Sequence, residues 1–164
     1  MENLVKLSIM AFFSICLISC DLSSDDESDM SAGDFKASVA GTAIDFSAMS
    51  GCYKGLYDES SALFIDGGTS DYSNEIDIIL VNVTGIGDYI VGDSTENSAS
   101  YSSVSDDGLV TSYYTFGEGT GLVKVTEYSG NRIAGTFSFT AINNYDDDSQ
   151  ISVTNGTFNL EVSD

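Results

Sequence analysis

After residue 34 this chain carries almost no helical periodicity. Short runs rich in Val, Ile, Thr, Phe and Tyr recur instead, separated by clusters of Gly, Asn, Asp or Ser. Apolar residues at every second position suit a strand with one buried face and cannot line one side of a helix. The clearest unit is Leu122-Val123-Lys124-Val125-Thr126-Glu127-Tyr128. Val123 and Val125 share one face, Lys124 and Thr126 the other. Ser129-Gly130-Asn131 then turns the chain, and residues 132–141 return with Ile133, Phe137 and Phe139 facing one way. Two alternating runs joined by three residues that include Gly predict a hairpin. Gly135 interrupts the alternation, which predicts a bulge or a close backbone approach.

The same grammar covers the rest of the body. Residues 150–154 and 157–162 alternate on either side of Asn155-Gly156, a pair that supplies the positive φ of a tight hairpin turn. Residues 143–149 form an acidic loop before them. Residues 35–39 and 43–46 flank Gly41-Thr42. Further strands are expected over 62–66, 75–83, 87–92, 101–104 and 111–116, with 75–83 the most apolar and central. Residues 93–99 and 105–108 read as exposed loops, and Asp66-Gly67-Gly68-Thr69 as a turn first and a ligand group second. The expected fold is all-β, an antiparallel β-sandwich or barrel-like domain of about nine or ten strands. The chain has no Pro, so Gly, Asn, Asp and Ser must make its turns.

The first thirty residues are of another kind. Residues 7–18 are apolar apart from Ser8 and Ser14, with Lys6 the one basic residue ahead of them. The run has the length of a signal-peptide core and is shorter than the roughly 20 residues a spanning helix needs. Leu17-Ile18-Ser19-Cys20 resembles the lipobox of bacterial lipoproteins: a branched aliphatic residue, a tolerant position, a small residue, then Cys. That resemblance implies a diacylglyceryl group on the Cys20 thiol, cleavage before Cys20, and acylation (palmitate, for example) of the freed amine. More than one acyl chain on one residue meets the requirement for stable anchoring. Residues 21–34 are dominated by Asp, Glu and Ser, too polar and too uniformly charged to order themselves. The predicted organisation is a signal peptide over 1–19, a lipidated Cys and acidic flexible tether over 20–34, and a single all-β domain over 35–164. A Ser/Asp-rich run directly after the lipidated Cys resembles the export signal that sends Bacteroidetes lipoproteins to the outer face of the outer membrane. The expected location is therefore the outer membrane, lipid-anchored and exposed on the cell surface.

Composition removes several function classes. The net charge of −21 leaves no basic patch for phosphates, so nucleic acid is not an expected partner. It also argues against docking on anionic lipid headgroups; the membrane is reached through the anchor alone. There is no His, which removes the commonest transition-metal ligand and the commonest general base. Cys16 falls in the discarded segment and Cys20 is the anchor, so Cys52 has no intrachain disulfide partner. It reads as a small buried hydrophobe, since a Cys–His pair is impossible here.

The ordered series of motifs also resembles a family. Phe35-Lys36-Ala37, Val39-x-Gly41-Thr42 and Phe46-x-Ala48 open the domain. Residues 78–83 precede Gly85-Ile86-Gly87-Asp88-Tyr89 and a Tyr at 101. Asn131-Arg132-Ile133-x-Gly135-Thr136-Phe137-Ser138-Phe139 and Thr154-Asn155-Gly156-x-Phe158 close it. Over residues 34–162 this is similar to the small Bacteroidetes lipoproteins of the DUF6252 type. The resemblance implies an antiparallel β fold and carries over no activity and no catalytic residues.

Carboxylates are the only plentiful reactive groups. Asp45, Glu75 and Asp77 are the strand carboxylates that a glycoside hydrolase could pair. Strand residues two apart share a face and are equally at home in solvent, and Trp platforms are absent, so no enzyme and no catalytic residue is expected. Asp106, Asp107, Asp146, Asp147 and Asp148 are candidate calcium ligands, the sole cofactor suggested. Their spacing is not that of a D-x-D-x-D-G loop, and an acidic turn explains them as well. Nine tyrosines suit half-buried strands and equally a glycan-stacking surface. Asp93-Ser94-Thr95 resembles the Asp-Ser/Thr-X acceptor of Bacteroidetes O-glycosylation, making Ser94 a candidate site. The functional expectation is a membrane-anchored surface lipoprotein whose β domain binds or assembles at the cell surface, with a glycan or protein partner. The alternative is a calcium-dependent or glycan-binding module in polysaccharide capture.

Overall fold

The structure is a computed structural model and describes residues 33–92, 94–143 and 148–164. Cys20 and residues 1–32 lie outside the described residues, as do Asp93, Tyr145, Asp146 and Asp147. The fold is all-β. Eleven strands follow in order: β1 (Asp34–Val39), β2 (Thr42–Asp45), β3 (Gly51–Tyr57), β4 (Ser60–Gly68), β5 (Asn74–Val81), β6 (Gly87–Gly92), β7 (Ser98–Val104), β8 (Val110–Tyr114), β9 (Thr120–Ser129), β10 (Arg132–Ile142) and β11 (Gln150–Ser163). A single 3-10 turn, Ser47–Met49, joins β2 to β3. No helix among the described residues is long and apolar enough to cross a membrane.

Pairing sorts the strands into two leaves. One runs β2-β1-β11-β10-β9-β6, the other β3-β4-β5-β7-β8. They meet at two corners. At one, the end of β11 pairs in parallel with β3 through Val162 opposite Cys52 and Ser163 opposite Tyr53. At the other, Ile142 of β10 pairs with Tyr114 of β8. The hydrogen-bonded ladder therefore returns on itself through β11, β3, β4, β5, β7, β8 and β10, giving a barrel-like closure with two strands added at each side of one leaf.

Alternation places one core between the leaves. Phe35, Phe46, Ile65, Ile76, Ile78, Val123, Val125, Ile133 and Phe158 are fully buried there. Burying each such side chain contributes about 1.5–3 kcal/mol. Phe35 on β1 spans the gap. Its ring lies edge-on to Phe46 at 6.0 Å and tilted to Phe137 at 5.3 Å. A Cβ on Gly67 of β4 would stand 2.6 Å from that ring, so only glycine fits beneath it. Gly68 then donates its N–H to the Phe46 carbonyl at 3.0 Å. Asp66-Gly67-Gly68 is thus strand, paired with Asp77, Ile76 and Glu75 of β5, where a turn was expected. The glycines answer a packing demand from the opposite leaf, which turn statistics do not contain.

Asn155-Gly156 is also not a hairpin turn. β11 runs unbroken through it, with β10 on one side and β1 on the other. Register slips by one residue there: Phe137 faces Gly156, whereas Phe139 faces Val153. Asn155 has φ 52°, so the positive φ that the pair favours makes a β-bulge. The Phe137 ring occupies the space a side chain at 156 would need. Gly135 meets its expectation: the β9–β10 register slips between Ala134 and Gly135, and a Cβ there would clash with the Lys124 carbonyl. The β9–β10 turn is the two residues Gly130-Asn131, because Ser129 already pairs with Arg132. β1 begins at Asp34, inside the expected tether, and Gly33 donates its N–H to the Asn159 carbonyl at 2.7 Å. β3 is a strand with no counterpart in the sequence reading. Its glycines at 51 and 55 dilute the alternation.

Candidate functional site: an aromatic-walled acidic cleft

The outer face of β3-β4-β5-β7-β8 is built in rows. Tyr53, Phe64, Ile79 and Ser98 lie in register across the first four strands. The next row is Gly51, Asp66, Asp77, Ser100 and Tyr114. A third holds Gly68, Glu75, Ser102 and Ser112. Large aromatics stand at the two sides, and Ile79, serines and carboxylates lie between them. The result is a cleft of about 470 Å³, within the usual range for small-ligand sites.

Local chemistry holds each wall. Phe64 stacks on Tyr53 with ring centroids 4.8 Å apart and planes within 4° of parallel. A Cβ on Gly55 would stand 2.9 Å from the Phe64 ring, so the glycine opens the space into which that ring extends. Tyr57 lies two residues further along the same face. On the far side, Tyr114 and Phe116 meet at 4.7 Å. Between them Thr115 is fully buried and clamps the chain to β7. Its N–H donates to the Ala99 carbonyl at 2.9 Å, and its Oγ1 accepts the Ala99 N–H at 2.9 Å. Tyr53, Tyr57 and Phe116 nonetheless keep more than 40% of their surface in solvent.

The floor is acidic and lacks a cation. Asp66 faces Asp77 directly across the β4–β5 ladder. Burial pushes the Asp66 carboxyl up to about 6, helped by the charges of Asp77 and Glu75. Burial also raises Asp77, followed by the Glu75 charge, against a hydroxyl donated by Ser100 at 3.2 Å. Among the described residues the basic side chains are engaged elsewhere. Lys36 pairs with Asp34, Lys54 with Asp164 and Arg132 with Glu127, while Lys124 stands opposite Asp88 on the other leaf. No Lys or Arg lines the cleft.

The sequence-nominated residues divide. Glu75 and Asp77 come together in the cleft, and Asp66 and Phe64, which the sequence reading did not nominate, complete it. The available signal was parity: Ile65 and Ile76 point inward, so Phe64, Asp66, Glu75 and Asp77 share the outer face. Asp45 sits apart on edge strand β2, where it accepts the Ser47 N–H at 3.0 Å and is lowered by that turn. Asp106 and Asp107 are exposed in the β7–β8 loop, where the Asp107 carboxylate accepts the Ser105 hydroxyl. Asp148 lies in the β10–β11 loop, its N–H bonded to the Asn143 carbonyl. Among the described residues no group of three or more His, Cys, Asp or Glu is arranged to hold a metal. Ser94 is exposed in the turn after β6. Cys52 is buried, and burial, then the Asp66 charge, push its thiol up to about 12, which disfavours the thiolate form. Of the tyrosines, 53, 57 and 114 line the cleft. Tyr101 is a core residue whose hydroxyl donates to Asn74 at 2.6 Å.

Comparison with known proteins matches residues 46–160 to a domain of unknown function, DUF6252, a span that contains the whole cleft. No curated protein and no solved structure matches the chain.

Proposed function

The chain belongs to the DUF6252 family, and from that premise we propose a bacterial surface lipoprotein, anchored in the outer membrane through Cys20, whose β domain is a non-catalytic binding module. The cleft of β3-β4-β5-β7-β8 is its binding site. The observation that carries this reading is the pair of partly exposed aromatic walls, Tyr53/Phe64 and Tyr114/Phe116, around a polar floor. Rings held open to solvent beside hydrogen-bonding groups suit a ligand with an apolar face and polar rim. Asp66 and Asp77 stand side by side on one sheet face, not on opposite walls. They are poorly placed to attack a glycosidic bond from two sides, which supports binding over hydrolysis.

Carbohydrate is the ligand class this arrangement favours, because sugar rings stack on aromatic faces and offer hydroxyls to carboxylates and serines. Calcium dependence has no such support, since the described acidic candidates lie in separate loops. A glycan array probed with the purified lipoprotein, beside Tyr53→Ala and Phe116→Ala, tests the reading. Signals from the wild type that vanish with the variants are expected. A blank array, or signals indifferent to both substitutions, would overturn it. Cys20→Ala should abolish lipid labelling and membrane retention; a variant still held in the membrane would remove the anchor from the proposal.

A further inference from the structure

We propose that the cleft selects a glycan bearing a free amino group, whose ammonium sits over the Asp66–Asp77 pair between the aromatic walls. This rests on the binding-site reading above and adds the charge of the ligand. The lining chemistry is one-sided. Asp66, Glu75 and Asp77 contribute acceptors, and Ser98 and Ser100 contribute hydroxyls. No ammonium, guanidinium or side-chain amide lines the cleft. A phosphate, sulfate or uronic acid would meet only like charge there, on a chain of net charge −21.

Like charges in directly opposed strand positions are destabilising. The fold places Asp66 and Asp77 in such positions, partly out of water, and supplies neither with a cation. A bound ammonium resolves that repulsion with charge-assisted hydrogen bonds. The aromatic rings on both sides add the attraction of a cation for a π face. Three unlike features, the walls, the paired carboxylates and a lining without a basic side chain, thus converge on one ligand group.

Topology favours a sugar over a basic peptide. β4, β5 and β7 are interior strands with neighbours on both sides. Their backbone groups are spent on the sheet, so a peptide lying over the acidic floor finds no backbone partner there. Recognition over the floor must come from side chains, and a saccharide brings several hydroxyl donors to a floor rich in carboxylate acceptors.

The test is calorimetric titration of the purified lipoprotein with glucosamine oligomers, their N-acetylated counterparts, glucose oligomers and a lysine-rich peptide. Glucosamine oligomers are expected to bind at least about tenfold tighter than the acetylated or neutral forms. Asp66→Asn and Asp77→Asn should each erase that preference while the protein stays folded, melting cooperatively at a midpoint no lower than the wild type's. Equal affinity for charged and neutral oligomers, or a preference that survives both variants, would overturn the charge inference and leave the glycan-binding site standing. Binding of the lysine peptide without the sugars would replace the sugar with a protein partner. Absence of binding by every oligomer, together with a blank array, would remove the site itself.

Discussion

Asp66 stands directly opposite Asp77 across the β4–β5 ladder, and no basic side chain lines the cleft that holds them. The sheet brings these carboxylates together because their inward neighbours, Ile65 and Ile76, are fully buried. Core formation therefore forces the repulsion, and the molecule carries it at neutral pH.

This predicts an acid-side gain in stability. The folded chain raises Asp66 from 3.8 to about 6, and Asp77 in the same direction. Between those limits the folded state holds a proton that the unfolded state has released. Stability is therefore greatest at the acid end of this window and is lost as pH rises through about 6. Asp45, Asp71 and Asp107 are lowered and act oppositely, but below the ordinary carboxylate range. Thermal melts should give a midpoint a few degrees higher near pH 4.5 than near pH 7, a scale set by about 1 kcal/mol once the shift of these half-buried groups is discounted for solvent screening. Asp66→Asn should flatten that dependence. Parallel pH curves for the two proteins would count against the assignment.

Gly67 should tolerate no side chain. A Cβ there meets the Phe35 ring at 2.6 Å, and that ring is held by Phe46 and Phe137. Gly67→Ala is expected to lower stability by about 1–3 kcal/mol, the cost of overpacking a filled core. Urea denaturation reads it as a lower midpoint at unchanged slope. Gly130→Ala, at a turn where a Cβ meets nothing, is the control and should cost far less.

Thr115 couples the fold to the cleft. Thr115→Val keeps the shape and deletes the acceptor of the Ala99 N–H. Leaving a buried donor without its partner costs about 1–3 kcal/mol. The same change loosens the segment carrying Tyr114 and Phe116, so glycan signals should weaken more than the stability loss alone explains. Retained signals at temperatures well below the melt would show that the clamp serves the core only.

Asn155 supplies a second backbone test. At φ 52° a β-branched residue is strained, whereas Gly is not. Asn155→Val should destabilise, and Asn155→Gly should lie within about 0.5 kcal/mol of the wild type. If both lost the same stability, the bulge would owe nothing to its backbone conformation.

These substitutions also mark where the sequence is legible. Alternation such as Val123, Val125 against Lys124, Thr126 reports a buried face directly, so most strands and the fold class can be read. What alternation does not report is which strands become neighbours. Asp66 and Asp77 are recognisable as a pair only when β4 is known to run beside β5. Tyr53 becomes a wall only when β3 is known to lie beyond it. Gly67 and Asn155 mislead for a related reason: local turn chemistry is overridden by a ring from the opposite leaf and by pairing on both flanks of β11. The cleft is a product of strand order, and strand order is settled by long-range contacts.

The narrow corners have a mechanical consequence. A chain held from its N-terminal side transmits tension into β1 and β11, while a ligand in the cleft pulls on β3, β4 and β5. Between these points the ladder offers only the pairs at Val162 and Ser163, and a single pair at Ile142 on the other side. Beside the chain segment from β2 to β3 and the Gly68 N–H bond to the Phe46 carbonyl, load then passes through side-chain packing, with the Phe35 ring seated on Gly67 as one bearing surface. The residue contact that closes the core is thus also the joint by which a tethered molecule would resist being pulled apart.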